Sequence, residues 1–249
     1  MISWQTELLR LTLFSASLVP SEDGAVWWRA ITGEEPEVSQ TDHRERVSRE
    51  VGPIFDNTCS LELQRRTNRV DWILTPYVVP DQIIVGLPSA GPFVESVETF
   101  KALIFPWLAD IAWAKRLAFG AALLSNVPSI DAGHAELQQY LPGTHINLKG
   151  TRDFLLQLNR PRASTTHPSL ELNRLSKWSV ASITGVSFGI NSALAKSEVK
   201  QTGSSIFAAR LELDLSTPRL EGGPLDNILQ LAEELTALAS EISVRGDVP

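Results

Sequence analysis

The stretch that most constrains this chain is "IFAARLELDLS", residues 206–216. Phe207, Ala209, Leu211, Leu213 and Leu215 alternate with Arg210, Glu212 and Asp214. A sustained period of two describes a β-strand with one face in a core and the other in water. A helix would scatter the same leucines around its circumference. The chain must therefore build a sheet buried on one side, and something must cover that side.

Further strands follow the same rule. "ELLRLTLF", residues 7–14, puts Leu9, Leu11 and Leu13 on one face and Arg10 and Thr12 on the other. Residues 58–78 read as a hairpin: Cys59, Leu61 and Leu63 alternate with polar neighbours, and Thr67-Asn68 offers a turn before Val70, Trp72 and Leu74. "KRLAFGAALL", "GTRDFLLQLNRPR" and "KWSVASITGVSFGI" complete the set.

The cover comes from helices. The spacing of Phe93, Val97, Phe100, Leu103, Ile104 and Trp107 predicts a helix over 93–109. Residues 224–243 carry a long apolar stripe that includes Leu225, Ile228, Leu235 and Ile242. Two short helices are expected. One starts at Pro20-Ser21-Glu22 and stops at Gly33; the other is capped by Ser129 or Asp131 and stops at Gly143. The polar run 34–50 reads as a loop or a solvated helix, and residues 79–92 as a loop punctuated by proline and glycine.

The expected order is β-α-β-β-α, then β-α-β-β-β-α. Each half opens alike, with "RLTLFSASLVPS" at 10–21 and "RLAFGAALLSNVPS" at 116–129. The expected fold class is α+β, mainly antiparallel sheets with helices packed on one face, as two related halves over 1–112 and 113–249.

Charge narrows the partners. The 249 residues carry a net charge of -7, which argues against broad phosphate-backbone binding. One cysteine, Cys59, rules out an intramolecular disulfide and a cysteine-rich metal site. The opening "MISWQTELLR" lacks the basic and apolar regions of a signal peptide, and every long apolar window is broken by proline or charge. A cytoplasmic protein without membrane contact is expected.

Gly185-Val186-Ser187-Phe188-Gly189 spells G-x-S-x-G, the pattern of a serine-hydrolase nucleophile elbow. That elbow joins a strand to a helix, which "NSALAKSEV" could supply, and its histidine follows the serine in the chain. Here His43, His134, His145 and His167 all precede Ser187. Ser187 with His134 or His145 stays open as a triad of another order, because triads are defined by geometry. The simpler expectation places Gly185, Ser187 and Gly189 on one face of a strand, where they permit close packing.

No histidine pair has metal-ligand spacing, and no phosphate-loop pattern occurs, so no metal and no cofactor is expected. Glu34-Glu35 falls in a polar loop and Glu233-Glu234 on the solvent face of the last helix. Arg65, Arg66 and Arg69 surround a hairpin tip that could touch phosphate or an acidic partner, with Arg160 and Arg162 ending a later strand. Trp72, Trp107 and Trp178 are expected in the core. Trp27 and Trp28 stand about 100° apart on their helix, so one is expected at a domain or subunit boundary.

"DFLLQLNRPR", "RLELDLST" and the amphipathic helix after "GGPLDN" resemble the last hundred or so residues of a sporadically distributed, uncharacterised bacterial family of about this length. The resemblance brings no established activity and no site residue. The family's patchy distribution suggests mobile or defence-associated genes. The leading expectation is a non-catalytic binding or assembly protein that pairs with itself or a protein partner, with Trp27, Trp28, Arg65, Arg66 and Arg69 as candidate contacts. The alternatives are a serine hydrolase using Ser187 and a nucleic-acid-associated factor using the arginine-rich tip; nucleic acid is the less favoured partner.

Overall fold

Strand β12 (Ile206–Ser216) occupies the alternating stretch, and its neighbours on both sides are antiparallel. The structure is a computed structural model. It describes residues 2–19, 24–42, 44–78, 86–141, 147–183, 186–191, 196–201, 205–220 and 223–248, with the backbone alone at 183–201.

The elements in chain order are β1 (Gln5–Ser15), α1 (Gly24–Thr32), β2 (Val38–Asp42), β3 (Val47–Ile54), β4 (Cys59–Arg66), β5 (Arg69–Pro76) and α2 (Phe93–Leu108). Then come β6 (Ala114–Val127), α3 (Ile130–Gln138), β7 (Leu155–Asn159), β8 (Arg162–Ala163), β9 (Glu171–Ile183), β10 (Val186–Asn191), β11 (Lys196–Gln201), β12 and α4 (Ile228–Arg245). One ten-stranded sheet runs β2-β3-β4-β5-β1-β6-β12-β9-β7, with β8 also on β9. All its pairings are antiparallel, which bears out the α+β expectation.

The ladder at the centre is symmetric. β1 pairs with β6 so that Thr12 faces Ala118, Leu11 faces Phe119 and Leu13 faces Leu117. Laying 10–14 on 116–120 maps the Leu11–Phe119 pair onto Leu13–Leu117 and leaves Thr12–Ala118 on itself. Outward from the centre the strands run β5, β4, β3, β2 on one side and β12, β9, β7 on the other, with the last strand of each half beside its first. One hydrophobic core crosses the centre without a break, from Leu61 and Trp72 to Leu211 and Trp178.

All four described helices lie on the face that carries Leu9, Leu11, Trp72, Phe119 and Trp178. Trp28 of α1 stacks on Trp72, and Trp107 of α2 meets the same ring edge-on. A Cβ on Gly133 of α3 would press into Val180, two residues along from Trp178. Ser129 caps α3 by accepting from the Ala132 N–H. The Glu50 carboxylate, buried under the sheet's cover, sits at Gly24, where the first turn of α1 presents its positive end. No described helix is long and apolar enough to cross a membrane.

Several expectations change. Within 34–50, residues 38–42 and 47–50 are strand rather than loop or helix, belonging to β2 and β3; β2 is exposed at every position, so a polar edge strand carries no alternation to read. The segment expected as a short helix after Ser187 contains β11 instead. The expected starts at 20–22 and stop at 143 lie outside the described residues, as do His43 and His145.

Glu233 and Glu234 are tethers rather than free surface charges. Glu233 pairs with Lys101 of α2 at 2.7 Å. Glu234 accepts from Ser164 Oγ at 2.6 Å, from the Thr165 N–H at 2.6 Å and from the Thr165 hydroxyl at 2.9 Å. Partial burial pulls the Glu234 carboxyl up, but these bonds outweigh it and hold the group below its ordinary value. Glu241 is held low by its bidentate bond from Arg162, against a smaller push from burial. A depressed carboxyl stabilises the fold above the unfolded-state value, and that contribution vanishes as pH falls through the folded-state value. The urea midpoint should therefore drop as pH falls below about 4.3, the ordinary glutamate value. The Glu234→Gln/Glu241→Gln variant should start lower at pH 7 and show a shallower drop.

Candidate functional site: the open face of the sheet

The second face of the sheet carries no helix among the described residues. Its side chains come from the polar half of each alternating strand, and the register arranges them in rows. One row runs Gln64, Asp71, Thr12, Ala118, Ser216, Asn173. The row on one side of it is Arg66, Arg69, Phe14, Arg116. The row on the other side is Glu62, Ile73, Arg10, Gly120, Asp214, Leu175.

The arginine row has a defined geometry. Phe14 lies between two guanidinium groups, with Arg116 Cζ 5.0 Å and Arg69 Cζ 5.4 Å from its ring centroid. Each cation is attracted by the ring quadrupole. Arg69 is also fixed from below. Its Nε lies 2.6 Å from Asp71 Oδ2 and its Nη2 donates to Asp71 Oδ1 at 2.7 Å, while the Thr12 hydroxyl donates to Oδ1 at 2.6 Å. Asp71 is 1% exposed, so a buried carboxylate anchors a partly exposed arginine. Arg116 donates one bond to Ser216 Oγ at 3.1 Å. Arg66 and Arg10 make no ion pair among the described residues; Arg10 lies above Gly120, its Nη2 3.5 Å from where a Cβ would stand. A guanidinium has five N–H donors, and Arg69 uses its Nε and one Nη2 bond on Asp71 while Arg116 uses one Nη2 bond on Ser216, so donors remain on both for a carboxylate or phosphate.

Elsewhere the open face is mixed in sign. Arg49 holds Glu62 with two bonds, at 2.6 and 2.8 Å. Arg210 bridges Glu7 and Glu212, and Glu212 also meets Lys177. Asp214 is exposed.

The residues singled out from sequence fall into three groups. Arg66 and Arg69 stand in the row just described. Arg65 points to the helix side instead, its guanidinium 4.7 Å from the Trp27 ring. Trp27 and Trp28 are 5% and 2% exposed, so neither offers a surface contact. The 100° between them is used inward: Trp28 faces the sheet, while Trp27 faces Trp107 of α2 and is roofed by Arg65. Arg160 and Arg162 belong to the far edge, where they pair with Asp247 and Glu241.

Ser187 lies in extended strand β10, paired with Lys200 of β11 in a two-stranded ribbon. An extended ladder is not the strained strand-to-helix turn that exposes an elbow nucleophile. His134 is buried edge-on against Phe154. No group of His, Cys, Asp or Glu among the described residues is placed to hold a metal.

Sequence reasoning missed Phe14, Arg116, Arg10 and Asp71. Arg10 was legible as an outward residue of β1, but nothing local says that Phe14 stands between Arg69 and Arg116. No family model matches the chain, and neither curated proteins nor solved structures gave a match.

Proposed function

We propose that this chain is a non-catalytic binding protein of the bacterial cytoplasm that holds an acidic segment of a protein partner on the open face of its sheet. The observation that carries the proposal is Phe14 clasped between Arg69 and Arg116, with Arg66 beside them. Carboxylates of the partner engage the N–H donors that Arg69 and Arg116 do not use on Asp71 and Ser216, together with those of Arg66. A protein is favoured over nucleic acid because a long phosphate backbone crossing this face would also meet Glu7, Glu62, Glu212 and Asp214. The same proposal takes 1–112 and 113–249 as two related halves; the symmetric β1–β6 ladder and the placing of each half's last strand beside its first support it.

Fluorescence anisotropy with a labelled peptide of alternating Glu and Gly tests this. Binding should weaken with salt and fall about tenfold or more in Arg66→Ala/Arg116→Ala, since each hydrogen bond to a charged group contributes about 1.5–3 kcal/mol. Unchanged affinity in that variant would remove the proposal. Tighter binding of a single-stranded oligonucleotide would move the function to nucleic acid.

A further inference from the structure

Strand β7 closes one end of the sheet, and its far side meets no other strand among the described residues. The bonds around it fix which backbone groups face that side. The Arg160 N–H donates to the Arg174 carbonyl at 3.3 Å, and the Ser164 N–H donates to the Leu170 carbonyl at 2.9 Å. Both pairs continue the register that sets Leu155 against Ser179 and Asn159 against Leu175. In an antiparallel ladder, residues that exchange hydrogen bonds alternate with residues that do not. Leu156 and Leu158 therefore bond toward β9, while Leu155, Gln157 and Asn159 direct their N–H and C=O groups outward. Pro161 obeys the same parity: the position that lacks an N–H is an outward one, where β9 needs no donor.

This edge is unguarded. Natural sheet edges are blunted by charge, proline or a bulge, because their unpaired backbone groups invite another strand. The opposite edge, β2, is exposed at every position, contains Asp42 and follows Glu37. Strand β7 reads Leu-Leu-Gln-Leu-Asn, with no charge and no proline. Leu155 is 62% exposed. Leu156 and Leu158 are half-buried and pack against the end of the core. Apolar side chains placed beside the strand would complete their burial.

The edge also matches itself. Its open stretch is bounded at one end by Pro161 and at the other by Asp153, whose φ of 57° takes the chain out of the extended form. Gln157 is the midpoint between them. A second β7, turned antiparallel about a two-fold axis at Gln157, meets all 5 residues of the strand. Gln157 then faces its own counterpart, Leu155 faces Asn159 of the other copy, and Leu156 faces Leu158 of the other copy. Every outward N–H and C=O of β7 finds a partner, and the half-buried leucines close on one another. Turning about any other residue shortens the overlap.

We infer that two copies of this chain join edge to edge through β7 in this register. A partner strand of unrelated sequence would meet the same backbone groups, but not the matched length or the paired leucines. The axis stands perpendicular to the sheet, because directly opposed residues of an antiparallel pair share a face. The helices of both copies therefore lie on one side, and the two open faces form one continuous surface. Such an interface uses the same patch on each copy, so assembly closes at a dimer.

Sedimentation velocity of the full chain over a range of concentrations tests this. A monomer–dimer equilibrium with a dissociation constant of about 1–100 µM is expected for a contact of this size. Gln157→Pro removes an N–H that β9 does not use, and should raise that constant about tenfold or more. A retained melting temperature checks that this variant keeps its fold. Gln157→Cys should form a disulfide-linked dimer under mild oxidation, because bond-exchanging residues stand about 5.5 Å apart at Cα, within disulfide reach. Leu155→Cys, about 14 Å from its counterpart in this register, should crosslink much more slowly. The native Cys59 is buried and adds little background. Arg66→Ala/Arg116→Ala should dimerise like the parent, so the dimer and the acidic-peptide reading fail separately. A monomer at every concentration to about 200 µM, a dimer unmoved by Gln157→Pro, or Leu155→Cys crosslinking as fast as Gln157→Cys would overturn the inference.

Discussion

Trp72→Ala is expected to destabilise the protein by about 3–5 kcal/mol, read as a fall in the urea midpoint followed by far-UV circular dichroism. Trp72 is fully buried and central to a chain of four indoles: Trp28 stacks on it at 6.4 Å, Trp107 meets it edge-on at 5.6 Å, and Trp27 meets Trp107 at 5.4 Å. These contacts join β5, α1 and α2, so one truncation loosens the sheet from both helices that cover its first half. The hole cannot close easily, because two of its walls are rigid rings, and one of those is itself backed by Trp27. Trp72→Phe keeps a ring in place and should lose much less. A similar loss for both would mean that the indoles touch without supporting one another.

Much of this fold is legible from the alternation of residues. β12, β1, β4 and β5 each bury the leucines that their period of two assigns to one face. The helices at 93–108 and 228–245 follow from apolar spacing, and α2 continues through Pro106 near its C-terminal end. Strands β2 and β3 were not legible because solvent-exposed edge positions impose no pattern. Partial burial in β3 comes from α1, which is brought there by the tertiary fold.

The site residues divide in the same way. The outward direction of Arg10 and Thr12 could be read along β1. Their neighbours could not, because the rows are set by register between strands distant in sequence: Arg69 and Arg116 meet over Phe14 only through the β5–β1–β6 ladder. Trp27 and Trp28 misled for the opposite reason. Two adjacent tryptophans on a lone helix must expose one ring, but α1 is covered on two sides, by the sheet and by α2. Five residues in a G-x-S-x-G pattern specify no backbone, and the simpler expectation of a strand holds for Val186–Gly189, which lie in an antiparallel ribbon; Gly185 lies outside the described residues.

Asp71→Ala should cost about 3–5 kcal/mol, again by urea denaturation, because it leaves Arg69 and the Thr12 hydroxyl without their shared acceptor. A buried ion pair is not by itself a gain in stability, since removing both charges from water offsets most of their attraction. Breaking one side is the costly change. Replacing the whole unit, as Thr12→Val/Arg69→Met/Asp71→Leu, should therefore recover most of the loss and leave a variant close to the parent in midpoint. That triple variant separates folding from binding: it keeps the sheet while stripping Phe14 of one of its two cations. If the open face holds acidic partners as proposed, the triple variant should fold normally and bind the Glu-Gly peptide weakly. A stable triple variant with full affinity would mean that Arg69 belongs to the architecture alone. Asp71 then explains why a carboxylate lies beneath an arginine-rich surface. It holds one guanidinium against Phe14 before any partner arrives, so that less conformational freedom is lost on binding.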